Sequence, residues 1–126
     1  MQIKSPKELI VYQKAYALAM EIYAVSKNWP AEERFSLIDQ IRRSSRSVCA
    51  NIREAWAKRR YQAHFVSKLS DADAENGETD TWLDFARDCG HLSVSDHTNL
   101  AEECKEVGAM LSSMINNPKG FLIRDL

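Results

Sequence analysis

Proline and glycine are scarce in this 126-residue chain, which has three prolines and four glycines. Domains rich in β-strands need many tight turns, and those turns depend on glycine and proline. Most of the few that occur here lie near the ends of long segments with helical periodicity. The scarcity therefore argues against a turn-rich sheet protein and favours an all-α fold.

Cysteine is also rare and unpaired. Cys49, Cys89 and Cys104 stand far apart, no CxxC pair occurs, and the count is odd. Disulfide frameworks and zinc fingers require closely spaced cysteines. We therefore expect three reduced, half-buried thiols and no metal site.

Motifs for catalysis and cofactor binding are missing. His64, His91 and His97 form no HExxH motif, and Glu75 and Glu78 lack the Glu-x-x-His spacing of di-iron bundles. The chain has no glycine-rich phosphate loop and no GxSxG motif. The sequence thus predicts no catalytic residue, no metal ligand and no cofactor, which indicates a protein that is not an enzyme.

Long apolar runs are absent as well. None approaches the roughly 20 residues that a membrane-spanning helix needs, and the first residues do not resemble a signal peptide. We therefore expect a cytoplasmic protein with no membrane partner.

What the chain does contain is helical periodicity in four segments. The expected helices cover about residues 6–28, 38–60, 61–89 and 93–116, with a break allowed near residues 58–62. Short links between long helices predict an antiparallel up-down-up-down four-helix bundle, a single domain over residues 1–126. The apolar tail at residues 121–123 is expected to dock on this bundle or on a neighbouring one.

Several helix ends carry recognisable capping signals. Ser5 and Glu8 have the spacing of a capping box at the first helix. Gly90 fits the residue after the third helix, and Ser93 with Asp96 resembles a second capping box.

The segment 38–60 is the most informative, because as a helix it presents three different faces. The face expected in the core carries Ile38, Ile41, Ser45, Val48, Ile52 and Ala55. A second stripe, expected to face other protein, carries Gln40, Arg43, Ser47, Asn51 and Glu54. A third stripe carries Arg42, Arg46 and Arg53, and Arg60 joins it if the helix extends that far.

The third helix has a comparable core face. Its expected members are Phe65, Leu69, Ala72, Asn76, Thr79, Leu83 and Ala86, with Trp82, Phe85 and Cys89 widening the buried surface. Asn76 is unusual on such a face and predicts a polar contact inside the bundle. Gly77 costs about 1 kcal/mol in a helix interior, which suggests a close helix contact or a bend there.

Charge is unevenly distributed although the net charge is only −1. Residues 42–68 hold eight basic side chains and one acidic side chain, whereas residues 71–88 hold seven acidic and one basic. Adjacent blocks of opposite sign either neutralise each other in the fold or give the molecule two oppositely charged surfaces.

These features together resemble a known family. The matching motifs are Tyr12-Gln13-Lys14-Ala15, Trp29-Pro30, the run Gln40-Ile41-Arg42-Arg43-Ser44-Ser45 continuing to Asn51-Ile52-x-Glu54, Phe65-x-x-x-Leu69-x-x-Ala72, Glu78, and Trp82-Leu83. They resemble the four-helix bundle proteins encoded in intervening sequences of bacterial 23S ribosomal RNA genes, over nearly the whole chain.

The resemblance implies a four-helix bundle that assembles as a ring-shaped homopentamer. The same superfamily includes the accessory protein of diversity-generating retroelements, which binds nucleic acid and a reverse transcriptase through a basic surface. This chain departs from the common NIAEG motif, because Arg53 and Ala55 replace its alanine and glycine. Loss of that glycine predicts that the second helix continues past Glu54.

Two uses of the basic residues remain open. Six cations are candidates for sequence-independent contacts with RNA or DNA phosphates: Arg42, Arg46, Arg53, Lys58, Arg59 and Arg60. Alternatively, these side chains pair with the acids of the third helix or of an adjacent subunit.

The second stripe of the segment 38–60 also has two possible roles. One is a structural polar network of Arg43, Ser47, Asn51, Glu54, Asn76 and Glu78, since buried charges need partners. The other is a ligand pocket.

The arginine stripe and the resemblance together predict a helical bundle that binds RNA or DNA through its arginine face, and the resemblance implies that this bundle is homo-oligomeric. The alternative is a protein-interaction or structural scaffold with no nucleic-acid ligand. Partners in the two cases are copies of the chain itself, together with nucleic acid or another protein.

Overall fold

The computed structural model describes residues 2–123 and consists of four α-helices with short helical turns between them. The helices are α1 (Ile10–Ser26), α2 (Asp39–Ala57), α3 (Gln62–Asp88) and α4 (Val94–Asn116). Consecutive helices pack side by side, and α4 returns to pack against α1. The fold is an antiparallel up-down-up-down four-helix bundle, as the periodicity predicted. None of the helices in the described residues is both long and apolar enough to cross a membrane.

The start of the chain differs from the expected continuous first helix. A 3₁₀ turn, Pro6–Glu8, precedes α1, and Leu9 between them has an extended backbone with φ −66° and ψ 130°. Ser5 caps the 3₁₀ turn through the amide of Lys7, and Glu8 accepts a hydrogen bond from the amide of Lys4. The expected capping box is therefore wrong in its pairing. The interruption lets Pro6 and Leu9 both reach the core, where each is buried.

The segment around α2 is also subdivided. A 3₁₀ turn, Ala31–Glu33, and a π-helical turn, Arg34–Ile38, precede α2. The helix continues past Glu54, as the lost glycine predicted, but it ends at Ala57 rather than at residue 60. The Lys58 amide donates hydrogen bonds to carbonyls of the last turn of α2. Helix α3 begins after the break that was allowed near residues 58–62.

The core face predicted for α2 is confirmed, since all six of its members are buried. The core forms two apolar clusters, one around Phe65 and Leu111 and the other around Ile22 and Leu83. Between them Ser44, which was not assigned to the core, hydrogen-bonds Thr79 across 2.8 Å. Burial of these hydroxyls is tolerated because each has a partner.

The expected width of the α3 face is confirmed for Trp82, which is half-buried and packs against the core. It was wrong for Phe85, which is 53% exposed, and for Cys89, which is also exposed. Gly77 lies on the exposed side with open space around it, so it mediates no close helix contact within residues 2–123.

The three cysteines are free, but their surroundings differ. Burial raises the pKa of Cys49 to about 11 and that of Cys104 to about 12, whereas Cys89 is solvent-exposed. The expectation of three half-buried thiols was therefore wrong for all three, because two are fully buried and one is on the surface.

The turn from α3 to α4 and the tail agree with the sequence analysis. Gly90 has φ +79° and follows α3, and Ser93 caps α4 by accepting from the Asp96 amide. Phe121 stacks on Phe65 with ring centroids 6.1 Å apart, so the tail docks on its own bundle as far as Ile123.

Candidate nucleic-acid interface

The second stripe of α2 faces α3 within the same bundle. Arg43 hydrogen-bonds the carboxylates of Glu78 and Glu75, and Glu78 also accepts from the Trp82 indole at 3.2 Å. The Arg43 guanidinium, helped by the indole, lowers the pKa of Glu78, although partial burial opposes this effect. The contact pairs one α2 cation with two α3 acids and joins the second turn of α2 to the middle of α3.

A second α2–α3 contact lies two to three turns further along α2. Lys68 approaches Glu54 at 2.6 Å and Asn51 at 3.4 Å, and it lies 3.6 Å from Asp71. The Asn51 amide also donates to the backbone carbonyl of Ser47. The Lys68 ammonium lowers the pKa of Glu54, so this carboxylate is charged at neutral pH.

Asn76 lies apart from these two contacts. Its amide nitrogen donates to the Cys104 carbonyl of α4 at 2.8 Å, and its Oδ1 is buried without a partner among the described residues. The six residues expected to form one network thus occupy three places. Arg43 contacts Glu78. Glu54 and Asn51 both contact Lys68, and Asn51 also bonds the Ser47 carbonyl. Asn76 joins α3 to α4.

Arg42 is directed away from α3 and towards the end of α1. Its Nε donates to Ser26 Oγ at 2.9 Å, its Nη2 donates to the Tyr23 carbonyl at 3.4 Å, and its guanidinium lies 4.7 Å from the Tyr23 ring centroid. A cation at this position satisfies a carbonyl of the last turn and interacts favourably with the helix dipole. Arg42 is therefore half-buried in an internal contact rather than free for a ligand.

Arg59 is also committed to the fold. Its guanidinium lies 3.5 Å from the Trp56 ring centroid, and its Nε donates to the Trp56 carbonyl at 2.7 Å. Burial lowers the pKa of Arg59. Its own carbonyl accepts a hydrogen bond from the amide of Ile123, so the residue ties the end of α2 to the tail.

The other four candidate cations, Arg46, Arg53, Lys58 and Arg60, are exposed. Within residues 2–123, none has a carboxylate oxygen within 4 Å. We call these four residues the outer basic face, of which Lys58 also helps to lower the pKa of Glu54. Three of the seven α3 acids, Glu75, Glu78 and Asp71, instead pair with Arg43 of α2 or with Lys68 of α3 itself.

Tyr23 of α1 borders the outer basic face, and the sequence analysis did not include it among the candidate residues. The Arg46 guanidinium lies 5.7 Å from the Tyr23 ring centroid, and Lys27 approaches the same ring at 4.7 Å. Tyr16 is two helical turns before Tyr23 on the same side of α1 and is 54% exposed. The seven-residue spacing of these tyrosines was the available signal, but it does not separate a core edge from an exposed groove.

Comparisons with known proteins place the chain in a family. Residues 7–113 match the family model described as 23S rRNA-intervening sequence protein. A search of curated proteins gave no match. The fold is similar to that of a protein of unknown function from the S23 ribosomal protein family of Bacteroides thetaiotaomicron, with a TM-score of 0.78 and 29% identity, covering 86% of this chain and 96% of that one. The chain belongs to the 23S rRNA-intervening sequence protein family.

Proposed function

We propose that this chain is a non-enzymatic, homo-oligomeric helical bundle that binds RNA or DNA through its outer basic face. The free cysteines are compatible with the reducing cytoplasm, where such a protein would meet nucleic acid. The proposal narrows the six cations considered from sequence to Arg46, Arg53, Lys58 and Arg60, because Arg42 and Arg59 have internal contacts.

The observation that supports the proposal is the division of charge between the two flanks of α2. If the basic block served only to neutralise the acids of α3, the pairing would include the outer basic face. Instead Arg43 pairs with Glu75 and Glu78 of α3, while Lys68, itself on α3, pairs with Asp71 and with Glu54 of α2. The outer basic face is left to attract an external anion, in spite of a net charge of −1.

The spacing of the arginines fits a phosphate backbone. Arg46 and Arg53 are seven residues apart, which corresponds to roughly 10 Å along the helix axis. One strand of a duplex carries a phosphate about every 3.4 Å of its axis, so the two guanidinium groups span about three phosphates. Such contacts fix position and carry no sequence information, so we expect binding that is independent of sequence.

The neighbouring tyrosines favour single-stranded ligands. Tyr16 exposes about half of its surface on the side of α1 that carries Tyr23, and an exposed ring of this kind can stack on an unpaired base. Bases inside a duplex are already stacked on one another, so a duplex offers few free base faces. We therefore expect single strands to bind more tightly than duplexes of the same length.

The decisive experiment measures the affinity of the purified protein for a labelled single-stranded RNA by fluorescence anisotropy at several salt concentrations. Each phosphate contact contributes a slope of about −0.7 to the plot of log K against log salt. Replacing Arg46 and Arg53 together by glutamine should lower the magnitude of that slope by about 1.4 and weaken binding at low salt.

Arg43→Gln is the matched control, since it removes the same kind of charge from the same helix but on the flank that faces α3. It should leave the salt slope unchanged. Equal losses for Arg43→Gln and for either outer arginine would contradict a defined binding face, and no binding at low salt would contradict the function itself.

A second candidate, a protein-interaction scaffold without a nucleic-acid ligand, is favoured by an apolar groove at one end of the bundle. The groove is lined by Ile3, Leu9, Ile10, Val11, Met110, Met114 and Phe121. Ile10, one of these residues, is 62% exposed, and a contiguous apolar patch of this kind is typical of a protein interaction site. A second copy of the chain is the occupant that the expected homopentamer would supply.

Light scattering coupled to size exclusion tests the assembly directly. We expect the mass of a pentamer for the native chain and a smaller mass for Ile10→Asp. Val94→Asp is the matched control, because Val94 is 71% exposed but does not line the groove. A monomeric native chain would contradict the oligomer, and an oligomer that retains no added RNA or DNA would favour the scaffold.

A further inference from the structure

Three side chains suited to metal binding meet near the turn between α3 and α4. They are Glu33 from the 3₁₀ turn before α2, Cys89 at the end of α3, and His91 two residues later. One carboxylate oxygen, the Cys89 Sγ and one ring nitrogen of His91 all lie within 4.8 Å of one another. In residues 2–123 this is the one such group of three.

The fold builds this cluster from the helix end. Gly90 adopts φ +79°, a conformation that reverses the chain directly after α3. The Gly90 amide bonds the Arg87 carbonyl at 3.0 Å, and the His91 amide bonds the Ala86 carbonyl at 2.9 Å. These two bonds hold Cys89 and His91 in a fixed relation on either side of the glycine.

Neighbouring groups orient the ligands. Ser36 Oγ donates to Oε1 of Glu33 at 2.6 Å, while Oε2 of the same carboxylate lies 3.0 Å from His91 Nε2. The Trp29 ring packs beside the imidazole with a centroid separation of 6.4 Å. The Ser36 and Trp29 contacts keep the ligands aligned, as supporting contacts do at metal sites. The Glu33–His91 hydrogen bond joins two ligand atoms, so the ion replaces it and the imidazole keeps its proton on the other ring nitrogen.

We propose that Glu33, Cys89 and His91 form a binding site for a zinc ion, with the fourth position open to water. A thiolate and an imidazole select zinc over magnesium or calcium, which prefer ligand sets made only of oxygen. The Cys89 thiol loses its proton to solvent when its sulfur coordinates the ion. The end of α3 also favours a cation, because the helix dipole is negative there.

The distances require only a small closure of the cluster. Zinc bonds of about 2.0 to 2.3 Å in a tetrahedron separate ligand atoms by roughly 3.3 to 3.8 Å. Glu33 and His91 are already this close or closer. Cys89 is exposed, so its side chain can rotate towards them without disturbing the core.

A zinc ion here would link the segment before α2 to the α3–α4 turn. Glu33 lies 56 residues before Cys89. The proposed zinc site shares no residue with the outer basic face, and it would bind a cation whereas that face would bind an anion. It also departs from the sequence-based expectation of no metal ligand.

Cobalt(II) is the probe of choice, because coordination by a thiolate gives a charge-transfer absorption band that oxygen and nitrogen ligands lack. The reduced, full-length protein is titrated with cobalt, zinc is then added, and metal content is measured after desalting. We expect one ion per chain, a charge-transfer band, and loss of that band when zinc displaces cobalt.

Variants assign the ligands. Cys89→Ser should abolish the band, and His91→Gln or Glu33→Gln should weaken binding by at least about tenfold. Cys49→Ala and His64→Gln are controls that remove a thiol and an imidazole elsewhere, and both should keep the band. Zinc should also raise the melting temperature of the native chain but not that of Cys89→Ser.

The proposal is overturned by titration without a thiolate band or by a band that persists in Cys89→Ser. Equal metal content in the native chain and Cys89→Ser after desalting would also overturn it. Because Cys89 is exposed, the serine variant should fold normally, and its circular dichroism spectrum confirms that any loss is specific.

Discussion

Arg42 Nε donates a hydrogen bond to Ser26 Oγ across 2.9 Å, and this contact joins α2 to the last turn of α1. Ser26 in turn donates to the Tyr23 carbonyl at 3.1 Å. The arginine thus serves as a cap for α1, and its hydroxyl partner is 1% exposed. A residue that belongs to a basic stripe by sequence is part of the structural framework in the fold.

Replacing Arg42 by glutamine should lower the free energy of unfolding by about 1.5 to 3 kcal/mol, the usual worth of a hydrogen bond to a charged group. Urea denaturation measures the change. Arg53→Gln, on the same stripe but exposed, should change stability by less than about 0.5 kcal/mol. Similar values for the two variants would contradict a capping role for Arg42.

A double-mutant cycle with Ser26→Ala tests the same pair more closely. Because the two side chains contact each other, their effects should not add, and the coupling energy should be at least about 0.5 kcal/mol. Additive losses would mean that Arg42 acts through the Tyr23 ring and carbonyl alone.

The Glu103 carboxyl of α4 should make stability decrease as pH rises. Burial, followed by the neighbouring Glu21, raises its pKa from an ordinary 4.5 to about 7. The folded state therefore holds a proton more tightly than the unfolded chain, and its advantage is lost between pH 4.5 and about 7. Glu103→Gln should stabilise the protein at pH 8 by on the order of 1 kcal/mol, allowing for solvent screening.

Unfolding by urea at about pH 5 and pH 8 measures that difference, which should be smaller at the lower pH because the native carboxyl is then protonated. Glu102→Gln removes an exposed carboxylate on the same helix and is the control for net charge. A stabilisation that is the same at both pH values would contradict the raised pKa.

Glu78 should show the opposite dependence on pH. Arg43 lowers the pKa of Glu78 below 4.5, so its contribution is present above the unfolded value and disappears as pH falls through the folded value. Glu78→Gln should cost about 0.5 to 1 kcal/mol at pH 7, because the pair is partly exposed. The cost should vanish in strong acid. Urea unfolding followed by circular dichroism at pH 7 and in strong acid measures it under both conditions. A cost that persists in strong acid would contradict the lowered pKa of Glu78.

Two glycines should respond to alanine with opposite signs. Gly77 lies in the interior of α3 with nothing within 4 Å of an added Cβ, so Gly77→Ala should stabilise the fold by about 1 kcal/mol. Gly90 has φ +79°, where a side chain is strained, so Gly90→Ala should destabilise it by about 1 to 2 kcal/mol. Thermal unfolding of the two variants compares them directly, and a destabilised Gly77→Ala would indicate a contact on that face.

Much of the fold could be predicted because helical periodicity is a local property. Five of the seven buried positions of α2 follow from their spacing, whereas Ser44 and Cys49 were not assigned to its core face. The same reasoning failed at Phe85 and Cys89, which share the periodicity of the α3 core face but lie beyond the width that neighbouring helices cover. Spacing gives the direction of a side chain and does not give the extent of the surface that covers it.

The candidate sites were less predictable, since they depend on which helix lies beside which side chain. The sequence by itself determined the four helices, their polar and apolar faces, the basic and acidic blocks, and the family. Only the tertiary structure decided that Arg43 pairs with α3 while Arg42 caps α1, although the two are adjacent in the chain. Likewise it alone brought Glu33 to Cys89 and His91. A helix turns 100° per residue, so neighbouring residues face different partners, and distant residues become partners only when the bundle closes.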